Sequence, residues 1–337
     1  MSTAHPLKRQ RMNSEKSGED HHACNVEQEG PAERSYLWFN DGNVVLQAEK
    51  KLFRVHKTVL ALHSDFFSDM FSLPEPQDDA SQPTCDEGCP LIFLSDSATD
   101  VTCLLSSIYE NHKKHGFNKE MDVQRAVSLY RLGKKYGIQY LVDEILRLLR
   151  KDYPSTLKAY RHDSSKALDI FDDDDDVDQL GIIANLAYEN KILVVLPAIY
   201  AEFAHYTTRE LFDMRKKDLI NPTVFEICLV GKENFTRALK DAMEKRSSSV
   251  AGPPQYDYEG GCHEKLPDLI CSITTDICKG GRVRCFRDLE DIHLIVRWVC
   301  KECLRFIEAC YKEICRDMWE KLPSFFELPP WAECKKS

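Results

Sequence analysis

Apolar positions change period along the chain, and the change falls most sharply between Lys51 and Phe71. Leu52, Phe53 and Val55 are large or β-branched, with no Pro or Gly among them, and predict a strand. From Val59 the period becomes helical: Val59, Leu62, Phe66 and Met70 recur at three- and four-residue steps, with Leu60, Phe67 and Phe71 beside them. Ser64-Asp65 interrupts this run with two residue types that favour helix caps, which predicts two short helices in place of one. A unit this apolar is expected to bury nearly all its side chains.

The same reading extends in both directions. Val44–Ala48 and Leu52–Val55 predict a hairpin turning at 49–51, and Leu91–Leu94 a third strand. Asp96 or Ser97 caps a helix reaching Tyr109, with Val101, Leu104, Leu105 and Ile108 inward. A helix over Val123–Tyr136 ends at Gly137, which suits a left-handed cap. The next, Ile138–Arg150, turns Leu141, Ile145 and Leu148 or Leu149 inward and stops ahead of Pro154. Leu180–Glu189 and Val194–Tyr206 form a further pair. Asn221-Pro222 opens a helix towards Lys245 that carries Val224, Phe225, Cys228, Leu229 and Phe235. Leu266–Cys278 is helical and stops at Gly280-Gly281. The closing stretch Trp319–Trp331, rich in aromatics and Pro, is expected not to be helix after Leu322 and to pack back on the helical domain.

These elements divide the chain into a disordered polar tail (1–34), an α+β domain (35–153), an acidic linker (154–178), a helical region (179–246), a Ser/Pro/Gly linker (247–261) and a Cys-rich helical region (262–337). Leu73–Gly88 reads as a surface loop. Asp172–Asp176 lacks the alternating ligands, turn glycine and distal Glu of a calcium loop, and reads as a solvated acidic loop.

The order F-x-V-H-K-x-V-L-A-x-x-S-x-x-F-x-x-M-F resembles the core signature of BTB/POZ domains. Phe53, Val55, His56, Lys57, Val59, Leu60, Ala61, Ser64, Phe67, Met70 and Phe71 stand at the matching places. The runs Trp38–Ala48 and Trp319–Trp331 resemble an expanded fungal group of BTB-domain-containing proteins. The resemblance implies a BTB/POZ fold, a small β-sheet capped by helical hairpins, followed by an all-α C-terminal region. It also implies an adaptor without chemistry, which dimerises through this domain and docks protein partners, among them the cullin scaffold of a ubiquitin ligase. Many dimeric members set a buried Asp against the basic residue after the signature His. The matching positions here are Asn43 and Lys57, so that charged pair is absent, and Lys57 is expected to snorkel or to find a carbonyl.

Bulk properties sharpen the functional reading. Of 337 residues, 43% are hydrophobic and 30% charged, which is ordinary for a globular protein. A net charge of −10 and a pI near 5.6 argue against direct nucleic-acid or anionic-membrane binding. There is no membrane-spanning run and no secretory h-region, which places the protein in cytoplasm or nucleus with its 14 Cys reduced or metal-bound. Lys8-Arg9-Gln10-Arg11 is a solvated cluster or, alternatively, an import signal for a transcriptional or chromatin-associated regulator acting through partners. No P-loop, G-x-G-x-x-G, G-x-S-x-G or H-E-x-x-H is present, so neither an enzyme nor a cofactor site is expected.

Cys300-x2-Cys303 has zinc-knuckle spacing, which Cys262 (with His263 beside it) and Cys271 would complete as a structural site. Against this, Val296, Cys300, Cys303, Ile307, Cys310 and Ile314 step by four and three along one buried helical stripe. The stripe is the preferred reading. Cys85-x3-Cys89 and His112-x2-His115 lack further ligands and read as loop residues.

Overall fold

The computed structural model describes residues 32–73, 88–110, 121–162, 168–169, 176–248, 266–281, 285–286 and 301–336. Most of the 1–34 tail with Lys8–Arg11, the body of the 73–88 loop, His112 and His115, Asp172–Asp175, most of the 247–261 linker, and Cys85, Cys262 and Cys300 lie outside the described residues.

The sheet is built around the hairpin of β2 (Val44–Ala48) and β3 (Lys51–Val55), which pair antiparallel from Val44↔Val55 to Ala48↔Lys51. Glu49 closes the tight turn in the left-handed region, at φ 51°. The expected third strand, β4 (Leu91–Leu94), adds parallel to β2 at one edge. The other edge is a strand missed by the sequence reading: β1 (Glu33–Trp38) lies parallel to β3, giving the order β1-β3-β2-β4. The strand thus begins ahead of the expected tail boundary at 34. Only Ser35 and Leu37 of β1 are buried, which left little apolar alternation to read.

Helices cover this sheet as the Ser64 break predicts. α1 (Lys57–His63) and α2 (Asp65–Ser72) are separate, and the Ser64 hydroxyl accepts from Phe67 N at 3.1 Å to cap α2. Ser97, of the two expected caps, accepts from Asp100 N and starts α3 (Ala98–Tyr109). α4 (Val123–Lys135) follows the short strand β5 (Met121–Asp122), and α5 (Gln139–Asp152) follows Gly137, whose φ of 64° demands a residue without Cβ strain.

The acidic linker expected over 154–178 contains regular structure. α6 (Leu157–His162) and β6 (Leu168–Asp169), which pairs parallel with β5, precede α7 (Asp176–Glu189). α7 packs on α4 and on α8 (Leu196–Phe203). α9 (Thr208–Lys216) opens with a capping box: Thr207 N donates to Glu210 Oε2 at 2.6 Å, and Glu210 N donates to Thr207 Oγ1 at 3.2 Å. The long α10 (Pro222–Ser248) packs against α11 (Leu266–Ile277) and α12 (Lys301–Phe325). A one-turn helix, α13 (Trp331–Cys334), ends the described chain.

α12 corrects the expectation that helix stops at Leu322. It runs through Pro323 to Phe325. Proline has no N–H to offer the carbonyl four residues back, that of Trp319. The Trp331 indole N–H supplies the missing donor at 2.8 Å, and the two indoles stack with centroids 5.6 Å apart. The closing segment packs back as expected, with Phe326, Trp331 and Cys334 buried. Gly231 on α10 makes room for it, since a Cβ there would lie 2.0 Å from Phe326 Cδ1.

Candidate interaction surface

The α1–α2 hairpin is fixed to the rest of the domain by a small number of polar contacts. At its entry, the Asn43 side-chain oxygen accepts from Lys57 N at 2.8 Å, satisfying a helix N–H that the His56 side chain does not cap. The two positions that would hold the family's charged pair therefore do meet, through a neutral hydrogen bond to the backbone. The Lys57 ammonium sits 5.8 Å from the Phe71 ring centroid. The acidic group in this corner is Asp41, whose carboxylate is 3.3 Å from His56 Nε2. Tyr109 completes the corner: its hydroxyl accepts from His56 N at 3.0 Å and lies 3.4 Å from His56 Nδ1, while its ring stacks on Phe39. Burial pushes the Tyr109 phenol up from its ordinary value, so it stays a neutral donor and acceptor.

At the middle of the hairpin, Ser64 Oγ donates to the Tyr136 carbonyl at 2.5 Å while accepting from Phe67 N, so one hydroxyl ties α2 to the end of α4. Phe67 stacks between Tyr136 (5.0 Å) and Phe71 (5.9 Å). The Tyr136 hydroxyl donates to Asp96, whose carboxylate also takes Lys135 Nζ at 2.7 Å. Burial first, and Asp96 second, raise the Tyr136 phenol well above its ordinary range.

The signature residues divide into two groups. Phe53, Leu60, Ser64 and Phe67 are buried; Val59, Met70 and Phe71 are half-buried; His56 and Lys57 line the hairpin entry. They build the scaffold. The expectation that nearly every side chain here is buried is overturned, because Leu62 is 81% exposed and Phe66 46%. The stripe Val59–Leu62–Phe66–Met70 crosses the break at Ser64. Each helix has its own axis, so three- and four-residue steps counted across the break do not share a face. Tyr140, on the first turn of α5, joins the exposed residues at 39%, with its ring 5.6 Å from His63. Phe66 packs edge-on against Tyr136 at 5.3 Å. Leu62, Phe66 and Tyr140 are thus exposed apolar residues carried by α1, α2 and the start of α5.

Among the described residues no group of three or more His, Cys, Asp or Glu is arranged to hold a metal ion. Of the four cysteines weighed for zinc, Cys271 is exposed on α11 and Cys303 is fully buried on α12. Cys303, Ile307, Cys310 and Ile314 lie buried along one face of α12, as the stripe predicts. No described helix is long and apolar enough to cross a membrane.

The first part of the chain is a sheet of four strands under paired helices. Residues 39–153 match the family model of the BTB/POZ domain. The chain therefore carries a BTB/POZ domain, a protein–protein interaction module, and the described remainder beyond it is largely helical. A search of curated proteins found no match.

Proposed function

We propose that this protein is a non-enzymatic adaptor whose BTB/POZ domain recruits a protein partner while the helical C-terminal region presents a second surface. The observation that carries the reading is the exposure of the apolar residues Leu62, Phe66 and Tyr140 on and beside the helical hairpin of a domain whose class is protein interaction. The more specific form is a substrate adaptor of a cullin-RING ubiquitin ligase, with homodimerisation through the same domain. Support for it is the BTB/POZ match and the order of the signature residues Phe53, His56, Lys57, Leu60, Ser64 and Phe67.

The test is co-purification of the full chain with a cullin scaffold, alongside light scattering of the chain alone. A stoichiometric complex supports the ligase form. A well-folded chain that leaves the scaffold unbound at micromolar concentration removes it. A monomeric mass across the same range removes the homodimer.

A further inference from the structure

The two edges of the sheet are built differently. β1 carries features that keep an edge strand single: Glu33 and Arg34 are charged and exposed, and its register against β3 shifts between Arg34 and Trp38. β4 carries neither. Leu91, Ile92, Phe93 and Leu94 are all apolar and run in even register against Val45–Ala48. Among the described residues no strand lies on their outer side.

The ladder decides which backbone groups face outward. Val45 N donates to the Pro90 carbonyl at 2.9 Å, so Pro90 turns its main chain towards β2. Along a strand this direction alternates, so Ile92 and Leu94 also face β2, whereas the N–H and C=O groups of Leu91 and Phe93 point away from the sheet. Pro90, which has no N–H, thus removes no donor from the outer edge. Side chains alternate as well. Ile92 and Leu94 pack against the core, while Phe93 is 62% exposed and Leu91 stands on its face of the sheet.

We propose that β4 is a homotypic docking edge, through which two copies of this chain pair antiparallel about a two-fold axis at Ile92 to make one eight-stranded sheet. The register follows from the outward groups. Leu91 and Phe93 flank Ile92, so the axis sets Leu91 of each copy opposite Phe93 of the other, both in hydrogen-bonded positions. The N–H and C=O of both residues then find partners in each copy. On the exposed face Phe93 is covered by Leu91 of the second copy, and on the other face the two Ile92 side chains meet. No like charges oppose each other across the axis, because the strand has none, although the net charge of −10 elsewhere disfavours self-association. This interface depends on the homodimer reading above and assigns it to the sheet edge.

The test is residue-resolved hydrogen exchange of the full-length, unsubstituted chain below and above the dimer's dissociation constant, which for so small an interface is expected on the order of 10 μM. Light scattering gives the mass at each concentration. In the dimer the Leu91 and Phe93 amides are expected to exchange roughly tenfold more slowly, while those of Ile92 and Leu94, already facing β2, change little. Phe93→Pro withdraws an outward donor without touching the ladder to β2, and is expected to leave a monomer with an unchanged far-UV circular dichroism spectrum. F93D alone is expected to weaken the dimer and L91K/F93D to recover it, since positions 91 and 93 meet across the axis. Exchange of the unsubstituted chain decides the matter even if a variant fails to fold. A dimer whose Leu91 and Phe93 amides exchange alike at both concentrations overturns the β4 interface and leaves the homodimer standing. A chain that stays monomeric up to about 100 μM removes both.

Discussion

The indole N–H of Trp331 takes the place of a backbone donor that Pro323 cannot supply, bonding the Trp319 carbonyl at 2.8 Å. A proline inside a helix ordinarily orphans the carbonyl four residues back. Here a side chain from beyond the helix end satisfies it, and the same indole stacks on that of Trp319. Trp331→Phe keeps an aromatic ring and removes the donor. It is expected to destabilise the chain by about 1–3 kcal/mol, the cost of an unpaired buried acceptor. Urea unfolding followed by far-UV circular dichroism measures it, and an unchanged midpoint would mean that the indole is not the required partner.

Gly231→Ala is expected to be costly for a steric reason, because the new methyl would meet the Phe326 ring at 2.0 Å. Overpacking of this kind costs about 1–3 kcal/mol. In a Phe326→Leu background the same substitution is expected to cost clearly less, and the double-mutant cycle isolates the clash. Additive effects would place the strain elsewhere.

Ser64→Ala removes both the cap on α2 and the donor to the Tyr136 carbonyl. A loss of about 1–3 kcal/mol is expected from the cap and the orphaned buried carbonyl together. Hydrogen exchange at Phe67 N, the capped amide, is expected to quicken more than exchange in α12.

Leu62→Asp and Phe66→Asp test the surface itself. Leu62 contacts solvent over most of its area, so its substitution is expected to shift stability by no more than about 0.5 kcal/mol while abolishing partner capture. Surface plasmon resonance against the captured partner, beside a thermal melt of each variant, separates lost binding from lost folding. Retained affinity in a folded variant would move the docking face away from this hairpin.

Glu144 and Arg147 on α5 form a two-point ion pair, at 2.8 and 2.9 Å. Arg147 holds the Glu144 carboxyl below its ordinary value of 4.5, against the opposing effect of burial. A depressed carboxylate contributes stability that is present above the unfolded pKa and is lost as pH falls through the folded one. The stability gap between the native chain and Glu144→Gln is therefore expected to be full above about pH 5 and to close below it. The pair is solvent-screened, so the gap is expected to be only about 0.3–0.5 kcal/mol. Guanidinium titrations at pH 7 and pH 3 compare the two.

The hairpin, the Ser64 break and the Gly137 cap were legible because each rests on local chemistry: alternation, a capping hydroxyl and a left-handed φ. The exposure of Leu62 and Phe66 was not legible, because they belong to two helices whose relative rotation is set by tertiary packing on Tyr136 and Tyr140. β1 was hidden for a related reason, since an edge strand with two buried residues carries too little periodic signal. Pro323 misled because a local rule was answered by a residue eight positions later. The sequence reading passed over α9, although its capping box Thr207-x-x-Glu210 is a local signal.

The Trp319 indole donates to the carbonyl of Ser155, just beyond the end of the family match, and Lys134 on α4 bonds Asn190 at the end of α7. Tyr153, the last matched residue, is fully buried, and among the described residues Leu37 and Cys334 belong to one apolar core. The end of the family match is thus not a break in the packing. A fragment cut at Tyr153 would expose core to water, and the two parts are expected to melt together in a single calorimetric transition.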